Sequence, residues 1–288
     1  MGAHALLEFA QVDFRYPNAG IGLDQCSLSI ACHSRNALLG ANGAGKTTLF
    51  QHANALLRPQ AGTILYAGEA IDYSRAGLHQ LRSQVGLIFQ NPDQQLFSAS
   101  VEEDVSFGPL NLGLEMTEVR QRVSDALATV GMSEFADRPV HHLSFGQKKR
   151  VCIAGVLAMQ PQLLILDEPM AGLDYAMRQE LLTVLDDLHQ QGITLLLATH
   201  DIDFAYAWAD QIHLMRAGAC TASFQAEHLA SDPIAQCALQ SAGLPLPSVI
   251  ELQHALQGRG LLSAEARPRD HKALLALLET SHLKEHVA

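Results

Sequence analysis

Apolar residues fall along this chain in two distinct patterns. The short runs Leu6-Leu7-Glu8-Phe9 and Leu28-Ser29-Ile30, separated by a Tyr16-Pro17-Asn18 turn, have the composition of strands. Asn36-Ala37-Leu38-Leu39 predicts a further strand that feeds a glycine-rich loop, and Lys46 to about Leu57 predicts a helix ended by Pro59. Two nearly unbroken apolar runs, Leu163 to Leu166 and Ile193 to Ala198, read as central parallel strands buried on both faces. Each ends in polar residues, where open α/β sheets place their sites. From Thr117, read as an N-cap, Val119, Val123, Leu127 and Val130 recur at helical spacing until Gly131. That segment is expected to lie in a small helical insertion.

After about Gly218 the character changes. Leu244-Pro245-Leu246-Pro247 punctuates the chain, and Asp270 can cap a final helix with Leu274, Leu277 and Leu278 on one face. The expectation is an α/β domain over residues 1–218, with a helical insertion over about 90–160, and a small C-terminal extension over 219–288. The last helix is expected to pack on its own domain, with a dimer contact as the alternative.

Length and an apolar share of 48% permit a substantial core. A formal charge of −11 argues against a nucleic-acid surface, which needs clustered Lys and Arg. The one basic cluster, Lys148-Lys149-Arg150, is too short to reverse that. No apolar run approaches the ~18 residues of a spanning helix, and Met1-Gly2-Ala3-His4 lacks a charged region leading into an apolar stretch. The chain is expected to be cytosolic, or held at a membrane only through partners. Cys26, Cys32, Cys152, Cys220 and Cys237 are dispersed and read as isolated small core residues. His141, His142, His271, His282 and His286 lack ligand spacing and read as solvated.

The chemistry enters at Gly40-Ala41-Asn42-Gly43-Ala44-Gly45-Lys46-Thr47. Its glycines let backbone N–H groups turn toward the phosphates of a nucleotide, Lys46 supplies a point charge, and Thr47 offers a hydroxyl to Mg²⁺. Mg²⁺ needs a carboxylate nearby to order its oxygen shell. Asp167, at the end of the Leu163 to Leu166 run, is placed to supply it. Glu168 follows, expected on the other side of the pleat, where a carboxylate can polarise a water for in-line attack on the γ-phosphoryl group. A solvated turn pair is the bland alternative, and an apolar run ending in two acids does not fit it.

These motifs, with Gln90, Leu143-Ser144-Phe145-Gly146-Gln147 and His200 in that order, closely resemble the ATP-binding-cassette ATPases over roughly residues 6–217. The resemblance implies a P-loop α/β domain with a mixed sheet core and a helical signature subdomain. It also implies that Ser144, Phe145, Gly146 and Gln147 begin a helix facing the ATP of a second subunit, as a helix dipole favours. Gly40, Asn42, Gly43, Gly45, Lys46, Thr47 and Thr48 would then bind ATP, and Tyr16 would stack on adenine. Gln90 would sense Mg²⁺, which Thr47 and Asp167 also hold, together with the attacking water. Asp174 would cross the interface, and His200 would keep the γ-phosphate and Glu168 in register. Phe145 departs from the usual first glycine of the signature, and Met170-Ala171-Gly172-Leu173-Asp174 departs from the commoner Thr-Ser-Ala-Leu-Asp. With signature and Glu168 both intact, two copies would make two competent sites, which favours a homodimer.

The segment Gln90-Asn91-Pro92-Asp93-Gln94-Gln95-Leu96-Phe97, with Val101-Glu102-Glu103-Asp104-Val105 and Phe107-Gly108-Pro109-Leu110-Asn111-Leu112-Gly113, resembles the ATPase subunits of energy-coupling-factor importers. In that group the region receives coupling helices of a membrane subunit bearing arginines, which Glu102, Glu103 and Asp104 would meet. A solvated acidic helix start is the alternative. The spans Ile64 to Tyr73, Leu143 to Gly155, His200-Asp201-Ile202-Asp203 and Ala242 to Pro247 look most like the cobalt-importing members. Cobalt transport, peripheral attachment at the cytoplasmic face and membrane subunits as partners are what the resemblance implies. Nickel or a vitamin as cargo, and a soluble non-transport ATPase, are the alternatives.

Overall fold

The structure is a computed structural model that describes residues 5–17 and 20–285. Residues 1–4, Asn18 of the expected turn and His286 lie outside the described residues, as does the side chain of His282.

β1 (Ala5–Arg15) and β2 (Ile21–Ala31) form an antiparallel hairpin, and β3 (Arg35–Leu39) leads through the glycine loop to α1 (Lys46–Ala53). β4 (Ala61–Tyr66) and β5 (Glu69–Ala70) complete a four-stranded sheet in the order β2-β1-β4-β5. α2 (Arg75–Gln84) and β6 (Val85–Ile88) follow. Three helices, α3 (Val101–Asn111), α4 (Met116–Thr129) and α5 (Phe145–Leu157), then stand between β6 and β7 (Leu163–Asp167). α6 (Tyr175–Gln190), β8 (Thr194–Thr199), α7 (Ile202–Trp208), β9 (Gln211–Arg216) and β10 (Ala219–Gln225) complete the sheets. α8 (Pro233–Ser241), α9 (Ser248–Gly258) and α10 (His271–Glu285) end the described chain.

The second sheet runs β10-β9-β3-β8-β7-β6, parallel from β9 to β6 and antiparallel at its β10 edge. Its apolar runs are unbroken because each face has its own core. Leu38, Leu163, Ile165, Leu196 and Ala198 point into the core shared with α1 and the four-stranded sheet, while Ala37, Leu39, Leu164, Leu166, Leu195 and Leu197 point into the core under the helices.

Several boundaries differ from expectation for local reasons. α1 stops at Ala53, because Ala55 turns left-handed (φ 52°) and the Leu56 N–H folds back to the Gln51 carbonyl, so Pro59 comes after the helix has already closed. α4 begins at Met116 after Glu115, leaving Thr117 inside its first turn with no capping role. β10 pairs along β9, so the chain remains in the sheet past Gly218, and α8 begins at Pro233. Cys26 and Cys152 are buried, but Cys32 and Cys220 are half-buried and Cys237 is exposed on α8.

The segment after β10 grips α7. Asp203 Oδ1 accepts the Ser248 N–H at 2.6 Å and the Ser248 hydroxyl at 2.9 Å. Arg269 donates to the carbonyls of Tyr206 and Ala209 and lies 5.1 Å over the Tyr206 ring. Asp270 caps α10 by accepting the Ala273 N–H at 2.7 Å, and Leu274 is buried in the same core as α3 to α7.

Candidate active site

The strand-to-helix loop after β3 has little freedom. Gly45 holds φ 106°, and an added Cβ would lie 2.5 Å from the Gly22 carbonyl oxygen, so glycine is required on both counts. Lys46 Nζ donates to the Gly40 carbonyl at 2.7 Å and the Ala41 carbonyl at 3.3 Å, and stands 3.8 Å from Glu168 Oε1. At the head of α1, Thr47 Oγ1 donates to Asp167 Oδ2 at 2.6 Å, joining the loop to the end of β7. Burial pushes the Asp167 carboxyl above its ordinary range, against the stabilising hydrogen bond from Thr47, and the charge of Glu168 adds to the rise. Two crowded carboxylates beside a hydroxyl form a hard-oxygen donor set that suits a small divalent cation.

Glu168 does not continue the pleat. It lies beyond β7, before Pro169, with φ 45° in the left-handed region. That turn brings its carboxylate to Gln90, whose Nε2 donates to Oε2 at 3.3 Å, and to His200, whose Nδ1 is 3.8 Å from Oε2. The His200 side chain is 74% exposed, so it reaches this carboxylate from the rim. Tyr16, Ile21, Asn42 to Thr48, Gln90, Asp167 and Glu168 enclose a cleft of about 460 Å³. Tyr16 sits at the mouth of the cleft, its ring edge-on to Phe14 at 5.0 Å and its hydroxyl 3.1 Å from Thr48 Oγ1. Gly40 lies behind the loop and contributes its carbonyl to Lys46.

One protomer does not bring the signature to this cleft. Ser144 Oγ accepts the Gln147 N–H at 3.3 Å and Gln147 Oε1 accepts the Ser144 N–H at 2.9 Å, a capping box that starts α5. Asp174 caps α6 by accepting the Met177 N–H at 2.9 Å. Ser144, Phe145, Gly146, Gln147 and Asp174 are absent from the cleft lining among the described residues.

The acidic start of α3 needs a correction. Asp104 is buried, and its Oδ2 accepts the N–H groups of Phe97 and Ser98, each at 2.9 Å, so that oxygen shapes the preceding loop while the residue lines the floor of a neighbouring groove. Glu103 accepts the Ala99 N–H at 3.2 Å from an exposed position, and Glu102 is exposed. Beside them opens an apolar groove of about 520 Å³, lined by Leu78, Phe97, Phe107 and Met159 with Arg75 and Arg82 at its border. Phe97 and Phe107 meet edge-on at 4.8 Å, and Phe97 is 66% exposed.

The basic cluster hid a further residue. Lys148 pairs with Asp93 at 2.6 Å and Arg150 with Glu180 at 2.7 Å, whereas Lys149 is buried. Its position four residues after Phe145 and three before buried Cys152, on the inner stripe of α5, was the available signal.

Comparison with known proteins gives the family of the chain. Residues 23–171 match the ABC transporter family model. The chain is 45% identical over 272 residues to the cobalt import ATP-binding protein CbiO of Rhodobacter capsulatus, covering 94% of this chain and 96% of that one. It is 43% identical over 260 residues to the energy-coupling factor transporter ATP-binding protein EcfA of Methanocaldococcus jannaschii, covering 90% and 92%. Among solved structures, cbiO1 of Clostridium perfringens, described as part of the ABC transporter complex cbiONQ, superposes with a TM-score of 0.73 at 40% identity, covering 87% of this chain and 99% of that one.

Proposed function

Because this chain belongs to the ABC transporter family, as an ATP-hydrolysing subunit of the energy-coupling-factor type, we propose that it powers cobalt import from the cytoplasmic face of a membrane. The observation that carries the catalytic part is the meeting of Lys46, the Thr47–Asp167 pair and the Gln90–Glu168–His200 cluster around one cleft. Asn42 to Thr48 surround the phosphates, with Lys46 as their counter-charge and the α1 N-terminus behind them. Tyr16 closes the mouth against the base. Thr47, Asp167 and Gln90 would hold Mg²⁺, which when bound supplies charge neutralisation for the phosphate oxygens.

Glu168 orients the attacking water and accepts its proton at a carboxylate oxygen. Gln90 and His200, both nearest its Oε2, keep that carboxylate aimed. A second copy supplies Ser144, Phe145, Gly146, Gln147 and Asp174 across a homodimer interface, since none of them reaches the cleft of its own protomer. Residues 1–225 act as the ATPase domain and the helices beyond as an extension. Membrane subunits dock peripherally at the groove beside α3, with Phe97 and Phe107 as apolar anchors and with Glu102 and Glu103, exposed on the first turn of α3, as the charges offered to arginines.

Cobalt as cargo rests on similarity to the Rhodobacter protein. The EcfA likeness favours a second reading, the same engine serving another cargo, nickel or a vitamin. Glu168→Gln tests the catalytic role: nucleotide binding is retained while turnover falls by about a hundredfold or more, with a nucleotide-bound dimer accumulating on size exclusion. Wild-type turnover in that variant would remove Glu168 from its role. Uptake of radiolabelled Co²⁺ against Ni²⁺ by cells carrying the whole transporter separates the two ions, and uptake of neither favours a vitamin.

A further inference from the structure

The loop that carries Glu168 is held from behind by one buried cation. Lys149 Nζ donates to the carbonyls of Pro169 and Ala171 at 2.7 Å each and approaches that of Glu168 at 3.4 Å. These three acceptors match the three donors of an ammonium. Lys149 is only 3% exposed, and burial pushes its ammonium down to about 8 despite the favourable charge of Glu168. A buried charge is retained where its partners compensate for lost water, and here all three partners belong to one turn.

The two departures from the family pattern meet at the same place. The Phe145 ring lies 5.1 Å from Lys149 Nζ and covers it. Gly172 has φ 76°, and a Cβ there would come within 2.9 Å of Phe145 Cε1, so the ring fits because this position has no side chain. Glu168 itself is a pre-proline residue with φ 45°, a conformation that persists only when its surroundings impose it.

We infer that Lys149 is a positioning residue for hydrolysis: its ammonium, covered by Phe145, holds the Glu168 to Ala171 turn so that the Glu168 carboxylate faces the cleft, tying the signature helix to that carboxylate within one protomer. Lys149 is absent from the cleft lining among the described residues and acts through the main chain. The inference rests on the role proposed for Glu168.

A double-mutant cycle on the full-length protein tests it, with ATP as the probe and both steady-state and single-turnover hydrolysis as readouts. Lys149→Met is expected to lower kcat by about tenfold while KM for ATP stays within about twofold, because the phosphate loop is untouched. In a Glu168→Gln background the same change is expected to alter the residual rate by less than about twofold, since the group it positions is gone. Wild-type turnover of Lys149→Met, or an equal loss in both backgrounds, would overturn the inference. If Lys149→Met does not fold, Lys149→Gln takes its place in the cycle, with a loss of a few-fold that again vanishes beside Glu168→Gln, and additivity there overturns it equally. Wild-type turnover of Glu168→Gln alone would instead sink the catalytic reading beneath it.

Discussion

His213 makes this protein acid-labile in a defined window. The side chain is fully buried on β9, between β3 and β10. Its Nε2 is 3.1 Å from Asn36 Oδ1 and its Nδ1 is 2.8 Å from Ser223 Oγ. Asn36 spends its amide hydrogens on Ser34 and the Leu195 carbonyl, so its Oδ1 is the acceptor and Nε2 carries the ring proton. The Ser223 hydroxyl then donates to Nδ1, and the neutral imidazole is satisfied at both nitrogens. Burial pushes its pKa from 6.5 down to about 4.

The sign follows from proton binding. Between about 4 and 6.5 the unfolded chain takes up a proton that the folded chain refuses, so stability is full above the upper value and falls as pH drops toward the lower one. At 1.36 kcal/mol per pH unit this amounts to about 3 kcal/mol, a large part of the ~5–15 kcal/mol of a typical domain. Guanidinium unfolding of the wild type and His213→Gln from pH 7.5 to 4.5 isolates the effect, because other titrating groups, including depressed His52, are common to both. The stability advantage of wild type over the variant is expected to shrink by about 2–3 kcal/mol across that range. An advantage that stays constant, or an imidazole resonance of His213 titrating near 6.5, would refute the reasoning.

Three other outcomes test the remaining assignments. Lys46→Ala is expected to cost the isolated subunit its nucleotide affinity in a fluorescence titration, while Ser144→Arg leaves that affinity near normal and abolishes turnover; equal losses of affinity would contradict a role for Ser144 across the dimer. Asp104→Asn is expected to lower stability by about 1–2 kcal/mol in thermal unfolding, because two loop N–H groups lose a charged acceptor. Glu102→Gln should leave stability unchanged and weaken co-purification with the membrane subunits, and the opposite assignment of effects would reverse the roles given to the two carboxylates. Arg269→Ala is expected to lower stability by about 2 kcal/mol through lost carbonyl hydrogen bonds and ring packing, read as a lower Tm; an unchanged Tm would show that the extension does not depend on this contact.

Local chemistry was legible wherever a residue's surroundings are supplied by its own neighbours in the chain. The glycine loop is such a case, since Gly45 must take a conformation other residues resist, and Lys46 folds back on carbonyls five and six residues away. The unbroken apolar runs ending in Asp167 and Thr199 announced strands with a core on each face, and the capping role of Asp270 follows from residue type and spacing. Other features depend on which distant segments the topology brings together. Lys149 reads as one of three surface cations until the turn after Glu168 closes over it, and Asp104 reads as one of three exposed acids until the Phe97 loop turns its N–H groups inward. Likewise Asn36 and His213 are ordinary polar residues until β3 and β9 pair in parallel and leave each as the other's partner in a dry core. The left-handed turn of Glu168 belongs with these, because periodicity carries a strand forward, whereas the folded chain turns there toward Gln90 and His200 with Lys149 of α5 bonded to the carbonyls behind it. Sequence spacing thus determined which groups were available for phosphate chemistry, and tertiary packing decided which of them stay in solvent and which are spent holding the others in place.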